Sequence, residues 1–140
     1  MSLYVLDTDH VTLYQRNEPR VVTRIAGKSY ENIAVTLITA EEQLRGWLKY
    51  IRRASSREGL VLAYARLRLA LDYFCRIRML DFDDHACTSY ESLRQQRIRI
   101  GTRDLRIAAI ALSVGGILVT RNQRDFSSVP GLILEDWSTG

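Results

Sequence analysis

The sequence predicts an α/β fold: three layers, α/β/α, around a mainly parallel central sheet of about five short strands. Three observations predict it. Short apolar runs alternate with longer stretches in which apolar residues recur at helical spacing. At 140 residues, 46% hydrophobic and 26% charged, the chain is long enough to bury a core and has a globular composition. No Gly/Ser-, Pro- or Gln-rich linker and no internal repeat interrupts it, so residues 1–140 read as a single domain.

The first strand is LYVL at 3–6, ended by an Asp. A helical stretch at 10–16 follows, and a second starts at Glu18-Pro19, where proline suits the first turn, and ends near Gly27. Residues 33–38 form the next strand candidate, and Thr39 opens a helix running to Arg53. A long helix over 56–77 carries Leu60, Ala63, Leu67, Ala70, Leu71 and Phe74 at core-facing spacing. After a brief strand at 79–82, Asp83 or Asp84 caps a helix reaching Gln96. Thr102 caps another that ends at Ser113, stopped by Gly115. Strands at 117–119 and 132–134 complete the pattern, the latter after the turn Val129-Pro130-Gly131.

Several classes are disfavoured. The N-terminus, MSLYVLDTDH, lacks a secretory pattern, and the apolar stretch 107–119 is too short to span a bilayer, so a soluble cytoplasmic protein without a membrane association is expected. Cys75 and Cys87 have no C-x-x-C spacing and read as buried free thiols. His10 and His85 alone give little support to a zinc site. No P-loop motif occurs. The net charge is +4, and Lys28 and Lys49 are the only lysines among 20 basic residues. Arginine suits phosphate and base contacts, although an arginine-biased codon usage explains the excess equally well.

Topology places four acids on one rim. Asp7 follows the first strand at the carboxyl edge, where ligands bind in open parallel sheets. Glu42 lies in the first turn of the helix after the second strand, and Asp104 in the first turn of the helix leading into strand 117–119. Asp125 follows that strand. Each alone has an ordinary explanation: turn amides for Asp7, a capping box Thr39-Ala-Glu-Glu42, the helix dipole for Asp104, a cap or turn for Asp125. Together they imply more, because two like charges ~4 Å apart repel by about 4 kcal/mol at an effective dielectric near 20. Such a cluster stays partly protonated or takes up a cation, and Mg²⁺ suits a few carboxylates plus water.

The ordered set VLDTDH at the start, TAEEQLRGWL at 39–48, GTRDLRIAAIALSVGGILVTRNQRDF at 101–126 and VPGLILEDW at 129–137 resembles the PIN domains, and within them the VapC-type toxins. The resemblance covers nearly the whole chain. It implies a parallel sheet between helices and RNA cleavage dependent on Mg²⁺ or Mn²⁺, by in-line attack of an activated water on the scissile phosphate. The family's acids fall on Asp7, Glu42 (in the E-x-L-x-G pattern with Leu44 and Gly46) and Asp104. The fourth position varies in the family, and Asp125 is the residue assigned here. All four are the expected catalytic and metal-holding residues. Thr8, Thr120 and Asn122 match supporting polar positions. The resemblance further implies a homodimer and a cognate antitoxin protein, with the Arg-rich surface and apolar residues of the early helices available for that contact. Arg97, Arg99 and Arg103, around Asp104, are candidate RNA contacts; a solvated helix face is the alternative.

Two rivals remain at this level. Asp7-Thr-Asp9-His-Val11 fits the D-x-D-x-[TV] signature of haloacid-dehalogenase-type phosphatases, but the lysine and paired acids that should follow Thr120 precede it instead. In the PIN reading Asp9 is a helix cap or an outer group around the metal. The other rival is a non-catalytic RNA-binding module whose acids are only caps.

Overall fold

In the computed structural model, which describes residues 2–140, five strands form one wholly parallel sheet. The strands are β1 (Tyr4–Leu6), β2 (Ile33–Thr36), β3 (Arg78–Leu80), β4 (Ile117–Val119) and β5 (Ile133–Glu135), ordered β3-β2-β1-β4-β5. Strand order runs outward from β1 in both directions, so the switch point lies between β1 and β4. The helices are α1 (Thr8–Gln15), α2 (Pro19–Ala26), α3 (Leu37–Arg53), α4 (Arg57–Arg76), α5 (Asp84–Gln95), α6 (Thr102–Ser113) and α7 (Gln123–Phe126).

Strand alternation divides the core in two. Val5, Ala34 and Leu118 face α5 and α6, joining Ala86, Leu93 and an unbroken buried run from Ile107 to Ala111. Leu6, Val35 and Val119 face the opposite layer, with Val11 of α1, Ala70 and Phe74 of α4, and Trp137. The small side chains of Ala108, Ala109 and Ala111 let α6 pack closely on its neighbours, chiefly α5. At the next turn Gly116 touches β1, where an added Cβ would stand 2.8 Å from Val5 Cγ2. Gly115 has φ +64, the left-handed conformation that ends α6 at low cost.

The elements correspond to the expected series, with instructive shifts. Helix α3 begins at Leu37, not after Thr39, because the Thr36 hydroxyl accepts the Thr39 amide at 3.2 Å and caps the helix three residues early. Thr102 is the first residue of α6 and not its cap; that place belongs to Gly101, which has no side chain to offer. Asp83, rather than Asp84, caps α5 by accepting the Ala86 amide at 2.9 Å. Helix α7 lay within what read as a loop. In α4 only Ala63, Ala70 and Phe74 are buried, while the expected core residues Leu60 and Leu71 are exposed. The helix leans mainly on α3, and its remaining apolar face is uncovered. Cys75 is exposed and Cys87 only partly covered, contrary to the expected burial, because both sit on outward faces of α4 and α5. Among the described residues no helix is long and apolar enough to cross a membrane.

Candidate functional site

The carboxyl ends of β1 and β4 lie side by side, and the main chain continues past them in register: the Asp7 amide donates to Val119 O at 2.9 Å. Asp7 therefore leaves the sheet at the switch point. It is the N-cap of α1, its Oδ1 accepting the Thr8 amide at 2.9 Å, while the Thr120 hydroxyl donates to Oδ2 at 2.8 Å. The capping role open to Asp9 in the sequence thus belongs to Asp7.

Glu42 stands beyond the first turn of α3. Because that helix starts at Leu37, Glu42 is its sixth residue and does not close a capping box. Its Oε1 accepts instead from the Thr8 hydroxyl at 3.2 Å, and Thr8 Oγ1 lies 3.0 Å from Thr39 Oγ1. The ordinary explanation for this glutamate has gone, and a contact across to α1 has replaced it. Asp104 occupies the first turn of α6, as expected. Asp125 occupies the first turn of α7, where Asn122 holds it twice: the Asn122 Nδ2 donates to Asp125 Oδ2 at 3.1 Å, and Asn122 Oδ1 accepts the Asp125 amide at 3.4 Å.

Electrostatics ties these groups together. Burial, then the charge of Asp9, pushes Asp7 up from the usual 3.8 to about 7, against the opposing hydrogen bonds from Thr120 and Thr8 and with a further push from Asp104. Glu42 is raised by burial and by Asp104, with its Thr8 hydrogen bond and Arg103 pulling the other way. Asp104 is raised by burial, then by Asp125 and Asp9. Asp7, Glu42 and Asp104 each feel another acid, and Asp125 acts on Asp104, so the side chains share one electrostatic site. Among the described residues, Asp7, Glu42, Asp104 and Asp125 enter no ion pair.

This donor set fits a hard divalent cation. It is all oxygen, without Cys, and none of the four acids is in an ion pair among the described residues, with Arg103 acting on Glu42 only from a distance. Among the described residues no three such groups close into a finished cage.

The arginines divide. Arg103 is exposed in the first turn of α6, close enough to act on Glu42. Arg97 and Arg99 are exposed on the α5–α6 connection, Arg97 with φ 58. Arg94 and Arg106 lie over the Tyr90 ring, 5.6 and 5.5 Å from its centroid, a contact the sequence did not suggest.

One part of the site was underweighted at the level of sequence. Asp9 is more than a cap, because its charge acts on both Asp7 and Asp104. Its Oδ1 lies 2.8 Å from His10 Nδ1, and its Oδ2 accepts the Arg121 amide at 2.9 Å. With both oxygens engaged, Asp9 is poorly placed as the free acid/base that a phosphatase of the D-x-D type needs. The signal was visible in the run Asp7-Thr8-Asp9-His10, but all four residues needed the fold to acquire their distant partners.

Known proteins point the same way. The PIN domain family model matches residues 4–132. A protein from Salmonella typhimurium named tRNA(fMet)-specific endonuclease VapC is 28% identical over 141 residues, covering 98% of this chain and 99% of that one. Ribonuclease VapC1 of Haemophilus influenzae is 25% identical, covering 97% and 98%. The crystal structure of DNA-bound VapBC from Salmonella typhimurium superposes with a TM-score of 0.79 at 26% identity, over 98% of this chain and 99% of that one. With the parallel sheet, the acids at its switch point and a match over most of its length, the chain belongs to the PIN domain family.

Proposed function

We propose that this chain, acting as a single domain, is a metal-dependent endoribonuclease and the toxin of a toxin–antitoxin pair, cutting RNA phosphodiester bonds with Mg²⁺ or, in its place, Mn²⁺. The observation that carries the proposal is the set of unpaired carboxylates, Asp7, Glu42, Asp104 and Asp125, sharing one charge network at the switch point of a PIN domain. The names of its relatives, ribonuclease and endonuclease, support the reading.

Asp7 and Asp104 are the principal ligands in this proposal, with Glu42 and Asp125 on either side. A bound divalent ion supplies a Lewis acid for the phosphate and lowers the pKa of a water. The protein's own groups do the rest. Thr120 and the Thr8 amide fix both oxygens of Asp7. The Thr8 hydroxyl fixes one oxygen of Glu42 and leaves the other to orient the attacking water. Asn122 aims Asp125. Arg103, beside the acids, meets a substrate phosphate, and Arg97 and Arg99 extend that contact along the strand.

The partner surface is the other half of the proposal. Val61, Tyr64 and Leu69 of α4 are each more than half exposed, at 65%, 56% and 59%. A groove of about 770 Å³ runs between α1, α3 and α4, lined by Thr12, Gln15, Trp47, Leu62, Leu69 and Tyr73. Uncovered apolar surface of this kind marks a protein contact, and a cognate antitoxin together with a second copy of the chain would cover it. The cytoplasm, where RNA and such a partner meet, is the proposed location.

Purified Asp7→Asn and Asp104→Asn variants should keep the fold and lose Mg²⁺-dependent cleavage of RNA. Wild-type cleavage by either folded variant would overturn the assignment. A wild-type protein whose melting temperature is indifferent to both Mg²⁺ and Mn²⁺ would favour a binding module instead.

A further inference from the structure

His10 is wholly buried, yet it is not merely filler. Its Nε2 receives the Trp137 backbone amide at 3.1 Å. A backbone N–H is a donor only, so Nε2 presents its lone pair and the ring proton sits at Nδ1. From there it is donated to Asp9 Oδ1 at 2.8 Å. Asp136 Oδ1, 3.5 Å from Nε2, already accepts from the Ser138 amide and hydroxyl at 2.8 and 2.6 Å.

The other Asp9 oxygen holds the turn after β4. It accepts the Arg121 amide at 2.9 Å and lies 3.5 Å from Thr120 Oγ1. That turn carries Thr120, which holds Asp7, and Asn122, which holds Asp125. A continuous chain of hydrogen bonds therefore runs from the segment after β5, through His10 and Asp9, to the groups that orient two of the acids. The Trp137 ring is also fully buried, packed on Tyr4 at 5.3 Å between centroids. The far end of the chain is thus anchored in the core.

We propose that His10 is a positioning residue for the acidic site: fixed by the Trp137 amide, it holds Asp9 and, through it, the β4 turn in the arrangement that binds a divalent cation. This rests on the metal-dependent reading above. Partners that orient ligands from outside commonly matter about 10–100-fold in metal affinity.

Two substitutions separate the two ends of the ring. His10→Asn keeps a donor near the Nδ1 position and loses the reach to Trp137. His10→Gln keeps an acceptor near the Nε2 position and loses the donor to Asp9. Mn²⁺ affinity is measured by isothermal titration calorimetry on the full chain, with melting of the metal-free protein alongside. We expect His10→Gln to weaken Mn²⁺ binding by at least about tenfold, and His10→Asn to bind near the wild-type value while melting lower. Unchanged affinity in His10→Gln, or an affinity that follows the melting order of the two variants, would make His10 a core anchor and nothing more. Asp7→Asn serves as the control. If it binds Mn²⁺ as wild type does, the metal reading itself fails; if it loses binding while His10→Gln does not, only the positioning role fails.

Discussion

Helices α4 and α6 have similar apolar content and opposite fates. From Leu105 to Ala111 only Arg106 of α6 escapes full burial, and the helix presents Asp104 at its first turn. Helix α4 is the longer, yet buries only Ala63, Ala70 and Phe74 and leaves a row of leucines, valine and tyrosine in solvent. Apolar surface left in water costs about 25 cal/mol per Å² relative to burial. Within the chain, then, α6 contributes stability and rigidity under the site, and α4 contributes a surface. The site rests on the rigid half, where an acid can be held in an unfavourable environment by the packing around it.

The largest expected effect tests that holding. Below about pH 4, Asp7 is protonated in the folded and unfolded chain alike. Between 3.8 and about 7 the unfolded chain releases the proton while the folded one retains it, so stability falls as pH rises and levels off above 7. At 1.36 kcal/mol for each pKa unit, the loss due to Asp7 is on the order of 4 kcal/mol. Glu42 and Asp104, also raised, add to it in the same direction. Denaturant titrations of the metal-free protein across this range should show the slope, and Asp7→Asn should flatten it. Saturating Mg²⁺ at pH 8 should restore about 2.7 kcal/mol at a hundredfold excess over Kd. A stability that rises from pH 4 to 7 in the metal-free protein would mean that the acids are held by something other than strain.

Next in size is the packing under the site. Ile110→Ala removes a fully buried side chain of α6 and should cost about 2–5 kcal/mol, read by denaturant midpoint. Smaller again is the substrate path. Charge reversal at Arg97 and Arg99, both exposed, should leave stability within about 0.5 kcal/mol and weaken RNA binding. The slope of log affinity against log salt should fall by about 0.7 for each single-strand phosphate that the protein no longer neutralises. An unaltered slope would leave these residues as solvated side chains of the α5–α6 connection.

The contrast also explains what the sequence could reveal. Strands β1 and β4, helix α6 and the positions of the acids at 7, 104 and 125 in the fold were legible because local pattern and topology agree there: apolar runs end at an acid, and a parallel sheet sends those ends to one edge. Glu42 was assigned from topology and its E-x-L-x-G setting, and its ordinary explanation is the one the structure removes. A Thr-x-x-Glu spacing suggested a capping box, whereas Thr36 starts the helix earlier and frees Glu42 for Thr8. Two threonines compete to start that helix, and only the fold shows which hydroxyl reaches an amide. The role of His10 was out of reach, because its partner is a backbone amide 127 residues away. Helix α4 misled in the other direction: helical periodicity reports an apolar face but not whether the same chain covers it.

The smallest expected change within the isolated chain sharpens the comparison most. Val61→Gln and Leu69→Gln remove apolar groups that are 65% and 59% exposed. Each should shift stability by no more than about 0.5 kcal/mol. If α4 is a surface built for another chain, the same substitutions should weaken antitoxin binding, measured by calorimetry, while leaving Mg²⁺ binding unchanged. A cost above about 2 kcal/mol in the isolated protein would instead place α4 in a core, since losses of that size come from buried sites. Stability and partner affinity both unchanged would leave α4 an uncovered face without a role in this complex, and the difference from α6 would then be one of packing alone.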